Sequence, residues 1–180
     1  SGSWIQIGQD IDGAEAMNSR HTHLSISLSS DGTTIAIGAS GDNGTTGVLS
    51  FGHVRIYENI VGSWSQIGQD IDGEAASDFS GYSVSISADG NTVAIGAKNN
   101  DVPGGGYNAG HVRVYENIVG SWSQIGQDID GEAADDRSGY SVSLSSDGTI
   151  VAIGAGGNDG NGSNSGHVRV YENIVGSWSQ

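Results

Sequence analysis

The sequence predicts an all-β fold, an array of about three four-stranded antiparallel sheets. Three observations carry this. A unit of about 58 residues occurs three times, apolar residues inside it alternate with small polar ones, and glycine-containing turn signals separate the runs. "GHVR[IV]YENIVGSW" begins at Gly52, Gly110 and Gly166, and "AIGA" closes at Ala39, Ala97 and Ala155. Trp4, Trp64, Trp122 and Trp178 mark the period, with spacings of 60, 58 and 56. The 180 residues therefore divide into a divergent repeat over 1–60, a second over 61–118, and a third over 119–180 that includes the start of a further outer strand.

The third copy shows the elements in order. Strand A is "GYSVSLS", 139–145, with Tyr140, Val142 and Leu144 on one face and serines on the other. Asp147-Gly148 follows, a pair that favours a two-residue hairpin, as do Asp31-Gly32 and Asp89-Gly90. Strand B is "IVAIGA", 150–155. A glycine-rich polar loop leads to strand C, "HVRVYEN", 167–173. "IVG" then turns the chain into strand D, "SWSQIGQDI", seen whole at 121–129. No helical period competes. Four antiparallel strands per unit, stacked about an axis, make a β-propeller blade; small residues on A and B suit the crowded inner positions and Trp on D a wide outer one. A β-solenoid is the alternative, but its coils are shorter and do not need Asp-Gly hairpins.

Composition narrows the function classes. Six Lys and Arg stand against 21 Asp and Glu, a formal charge of −15, which disfavours nucleic acid and anionic membranes as partners. There is no cysteine, so no disulfide, zinc thiolate or thiol nucleophile. No membrane span or signal peptide stands out. Ser, His and Asp are all present, but each is replicated with the repeat or lies in a serine ladder, whereas a catalytic triad normally occurs once.

"SGYSVS", "DG", "VAIGA" and "GHVRVY" together resemble the FG-GAP repeats of integrin-like β-propellers, with Asp78–Ala97 the best stretch. The "DIDGEAA" element is similar to repeats of large secreted or surface proteins of marine bacteria and algae. The resemblance implies an extracellular or cell-surface protein with a structural or adhesive role, a matrix or filament component, and no enzyme. The alternative is a glycan- or cation-dependent recognition module. One departure matters: calcium-binding repeats of that type carry a long acidic loop between A and B, and here that connection is only "SDGT" or "ADGN".

The acidic stretch "QDIDGEAADD", 127–136, joins strand D of one blade to strand A of the next, with a counterpart at 69–78. It fails the EF-hand spacing, because Gly131 directly follows the second Asp. It reads either as a solvated turn or as a calcium site formed by Asp128, Asp130 and Asp136, and in the preceding copy by Asp70, Asp72 and Asp78. Calcium is the one cofactor suggested, and none is required. In the first copy Asn18 replaces the last Asp, so any site there is the weakest. The B–C loops vary between copies while the strands do not, which is where recognition often sits. They offer Asn99, Asn100 and Asp101, then Asn158, Asp159 and Asn161, and in the first copy Asp42 and Asn43, to glycans or surface proteins. His53, His111 and His167 each open strand C, as structural hydrogen-bonding groups or as ligands. Arg55, Arg113 and Arg169 are expected to pair with acids of the same or the adjacent blade. His21 and His23 occur only in the first copy.

Propellers close with four to eight blades, and this chain encodes three. It opens on an outer strand, 3–11, with no A, B or C before it. The expected partners are other copies of the chain or further repeats of a longer one, joined through donated strands.

Overall fold

The computed structural model describes residues 2–13, 23–41, 51–103 and 106–180. Among them there is no helix, and the strands fall into three antiparallel sheets. Blade 1 runs β1 (Leu24–Leu28), β2 (Thr34–Ala39), β3 (His53–Ile60) and β4 (Ser63–Gln66) across the sheet, with β5 (Ile71–Asp72) pairing the start of β3. Blade 2 repeats this as β6 (Ser80–Ile86), β7 (Thr92–Ala97), β8 (His111–Ile118), β9 (Ser121–Gln124) and β10 (Ile129–Asp130). Blade 3 contains β11 (Ser138–Leu144), β12 (Ile150–Ala155), β13 (His167–Ile174) and β14 (Ser177–Ser179). Consecutive strands pair antiparallel within each unit, so the solenoid alternative does not hold. The architecture is propeller-like, and the sheets do not close into a ring.

Strands of type A meet at the inner side, and here the serine face finds its use. Ser25 Oγ donates to Gly81 O (2.9 Å) and Ser83 Oγ to Gly139 O (2.8 Å). Ser27 Oγ accepts from Ile86 N, and Ser85 Oγ from Leu144 N. The backbones approach closely enough that a Cβ on Gly38 or Gly96 would lie 2.3 or 2.2 Å from the carbonyl of Gly81 or Gly139, so both positions require glycine. The opposite, apolar residues fill the space between blades. Val54 and Ile56 pack with Val84 and Ile86 in one cluster, Val112 and Val114 with Val151 and Ile153 in the next. Each such side chain contributes about 1.5–3 kcal/mol by leaving water.

Three local expectations are corrected. The Asp-Gly pairs do not form two-residue hairpins. Five residues, 145–149, link β11 to β12, with Gly148 N donating to Ser145 O (3.0 Å). Asp147 accepts from Ser145 Oγ and from Thr149 N and Oγ1, so its carboxylate organises a longer turn. The two-residue turns are Val-Gly instead, with both residues at positive φ (Val175 51°, Gly176 81°). Asn173 Oδ1 accepts from Gly176 N at 2.8 Å, which helps hold valine in that unusual conformation. Strand D is also interrupted: β9 stops at Gln124, Gly126 turns at φ 72°, and pairing resumes only at β10. The turn lies against the next blade, where Ile125 O accepts from Trp178 Nε1 (2.9 Å). Trp122 and Trp178 are thus outer in position yet buried. Finally, residues 3–11 form no strand; Ile7 O and Gln9 meet Trp64 as Ile67 O and Gln69 meet Trp122.

Candidate polar site at the blade junction

The acidic connections and the B–C loops share one face of the array, and one pairing pins them together. Asp136 is buried and accepts from Ala133 N (3.2 Å) and Asn158 Nδ2 (3.0 Å). Asp78 accepts in the same way from Ala75 N (3.1 Å) and Asn100 Nδ2 (3.0 Å). Burial pushes the Asp78 carboxyl up against these hydrogen bonds. The structure therefore brings Asp136 to Asn158, and Asp78 to Asn100, across the connection–loop contact. Asp128 and Asp130 lie near enough for the charge of Asp128 to add to burial in raising the Asp130 carboxyl.

The loop residues are engaged locally. Asp101 accepts from Asn108 N (2.9 Å), Asp159 from Asn164 N (2.6 Å), and Asn161 N donates to Ser165 Oγ (3.2 Å). Asn99 Oδ1 accepts from Lys98 Nζ (3.2 Å). Asn18, His21, Asp42 and Asn43 lie outside the described residues.

The residues that do converge are His, Arg and acid at the start of strand C, and the arginine of blade 1 pairs differently from those of blades 2 and 3. In blade 1 Arg55 donates from Nη2 and Nε to Asp70 of its own blade, at 2.7 and 3.0 Å, which holds the Asp70 carboxyl low. Asp72 sits opposite His53 in the β5–β3 pairing. In blade 2 Arg113 turns instead to Glu74 of the preceding connection (3.2 Å). Asp128, the counterpart of Asp70, accepts from Gln124 (2.7 Å) as Asp70 does from Gln66 (2.7 Å), but faces His111, Oδ2 to Nδ1 3.7 Å. In blade 3 Arg169 reaches Glu132 (3.4 Å) and donates to the Asp130 carbonyl (2.7 Å).

His111 is almost wholly enclosed, while Asp128 is about one third and Glu74 half exposed. Burial first, and the Arg113 charge second, push the His111 imidazole down to about 4, so it is neutral at physiological pH and keeps a lone pair for a ligand. One donor atom each of Glu74, His111 and Asp128 lies within 4.8 Å of the other two. Two carboxylate oxygens and an imidazole nitrogen, partly open to solvent, are a donor set that suits a divalent cation with free coordination positions. Glu74 is the member that sequence reasoning missed. Its only signal is the recurring Glu of "DGEAA" ahead of the next blade's Arg.

A second cluster was also missed. Lys98, the only lysine, lies over the rings of Phe79 (5.1 Å) and Tyr82 (4.5 Å). Tyr82 stacks on His23 (4.3 Å) and meets Tyr140 (5.2 Å). Burial lowers the Lys98 ammonium, and the hydrogen bond with Tyr140 raises the Tyr82 phenol.

Comparison with known proteins fits the repeat and the architecture. The FG-GAP repeat matches residues 129–171. No curated protein matches in sequence. The periplasmic gluconolactonase of Pseudomonas aeruginosa superposes with TM-score 0.52 at 20% identity over 83% of this chain and 39% of that one. A 6-phosphogluconolactonase candidate from Bacteroides uniformis gives 0.59 at 15% identity over 93% and 43%. The chain thus spans about two fifths of the structures it matches. These likenesses correct the expectation of a non-catalytic structural or adhesive protein, because structures with this architecture include lactonases. Replicated residues need not sit in replicated surroundings: Arg55 pairs with Asp70 of its own blade, whereas Arg113 and Arg169 pair with Glu74 and Glu132 of the preceding connection.

Proposed function

We propose that the Glu74–His111–Asp128 junction is a divalent-cation site, calcium being the first ion to test, and that the propeller containing this chain is a hydrolase of small oxygen-rich substrates. The observation that carries the reading is the convergence of three donors beside a guanidinium. Asp128 and Glu74 supply anionic oxygens and His111 a neutral nitrogen. A bound cation supplies Lewis acidity toward a substrate carbonyl. Arg113 contributes a fixed positive charge beside it, suited to an oxygen that gains charge during attack. A fold hosts many activities, so the neighbours' names only choose the substrate to assay first, a sugar-derived lactone.

Calorimetric titration of calcium, with Asp128→Asn as control, tests the cation, and lactone hydrolysis with and without chelator tests the chemistry. Binding lost in the variant and chelator-sensitive turnover support the reading. No heat overturns the first half, and no turnover above background the second. We further propose a secreted or periplasmic location, in line with the FG-GAP match and a neighbour named as periplasmic. No helix among the described residues is long and apolar enough to cross a membrane. Cell fractionation decides: recovery with the cytosol contradicts that location.

A further inference from the structure

Among the described residues, the Lys and Arg side chains of this acidic protein fall into two groups. Arg55, Arg113 and Arg169 each pair with a carboxylate. Lys98 and Arg137 pair with none, although the chain carries 21 Asp and Glu. The two stand at one end of the inner strands, where the acidic connections arrive and the B–C loops leave. Lys98 directly follows β7, and Arg137 directly precedes β11, as Phe79 precedes β6. Phe79 and Arg137 are matching residues of successive blades, and both hold φ 57°, a conformation rare for bulky side chains. Phe79 O accepts from Tyr82 N (3.0 Å) and Arg137 O from Tyr140 N (3.1 Å), which ties each to the first ring of its strand. Those two rings meet, and Lys98 lies 4.5 Å over one of them. Burial first, and the Arg137 charge second, push the Lys98 ammonium down, so the two cations are near enough to repel. The arrangement occurs once, since Ser40 and Gly156 stand at the Lys98 position of the other blades. Lys98 is half-buried in the middle blade, with a blade on either side of it.

We propose that Lys98 and Arg137 bind the carboxylate of an acidic sugar, a hexuronate, whose ring lies on Tyr140. A carboxylate relieves the repulsion between the two cations, and the guanidinium offers it paired donors. Tyr140 presents an aromatic face to the C–H side of a sugar ring and a phenol to its hydroxyls. Inorganic phosphate would use the charges and leave the ring bare, and a neutral sugar would do the reverse. The site shares no residue with the Glu74–His111–Asp128 junction and stands whether or not that junction binds a cation.

Calorimetric titration of the chain with sodium glucuronate, glucose and inorganic phosphate, all in chelator, tests this. Glucuronate is expected to bind at least about tenfold more tightly than either of the others, since each lacks one half of the contact. Lys98→Met keeps the stem over the rings and removes the charge, and it should weaken glucuronate binding at least about tenfold. Lys98→Arg should restore part of that loss. Arg137→Gln, at an exposed side chain, should cost at least about tenfold as well, with unchanged circular dichroism. No heat with glucuronate, or equal affinity for glucose, overturns the proposal, and that comparison needs no variant to fold. Phosphate bound as tightly as glucuronate overturns the sugar and leaves a plain anion site. Unchanged glucuronate affinity in either charge-removing variant overturns the assignment of its residue.

Discussion

Blade 1 and blade 2 carry the same histidine, arginine and aspartate at the same strand positions, and use them differently. Arg55 grips Asp70 with Nε and Nη2, while Arg113 reaches across the junction to Glu74 and leaves Asp128 facing a buried imidazole. A guanidinium forked on a carboxylate occupies the oxygens a cation needs. One change of arginine partner therefore separates a blade whose aspartate is forked by a guanidinium from one whose aspartate faces the imidazole instead, with the arginine on Glu74.

The largest effect expected from this difference lies in pH. The folded pKa of His111 is about 4, below its ordinary 6.5, so the native state resists a proton that the unfolded chain accepts. Its contribution is full above pH 6.5 and is lost as pH falls toward 4, on the order of 3 kcal/mol. Urea unfolding in chelator should show this slope, and His111→Gln should flatten it between pH 6.5 and 5.

Next come the two aspartates. Asp128→Asn should weaken calcium binding at least about tenfold, since loss of even an outer partner of a bound ion costs that much. Asp70→Asn should leave it unchanged; equal losses in both variants would erase the comparison. Arg113→Met sharpens it in the other direction. Removing a nearby positive charge should tighten cation binding by roughly fivefold, about 1 kcal/mol, and raise the His111 pKa, read by titration of its ring proton resonances.

The smallest effect belongs to a feature the blades share. Asp31, Asp89 and Asp147 are each held low by the hydroxyl and backbone donors of their turns. Their contribution is present above the ordinary carboxylate pKa of 3.8 and is lost as pH falls below it, for Asp147 toward about 2. Asp147→Asn should lower stability slightly above pH 3.8 and flatten the acid limb of unfolding, with no change in cation binding at neutral pH.

The repeat, the strand alternation and the blade were legible in the sequence because each is local and periodic. Ser25 and Ser83 were visible as a polar face, but their partner is the backbone of the next blade, which no local pattern announces. The "IVG" turn was legible, whereas Asp-Gly suggested a tighter hairpin than the one that forms. The side-chain acceptors that decided them, Asp147 and Asn173, act from inside and just beyond the pair. In the acidic connection the spacing suggested that its aspartates act together. The fold instead sends Asp136 to Asn158 and assembles Asp128 with Glu74 and His111 from three separate stretches. Such a set forms only when one blade packs on the next.

The most direct test of the account is an anomalous difference map from crystals of the chain soaked in manganese. The account predicts a peak between Glu74, His111 and Asp128 and none at Asp70, where Arg55 already holds the carboxylate. No peak at the junction, or one at Asp70 instead, would contradict it.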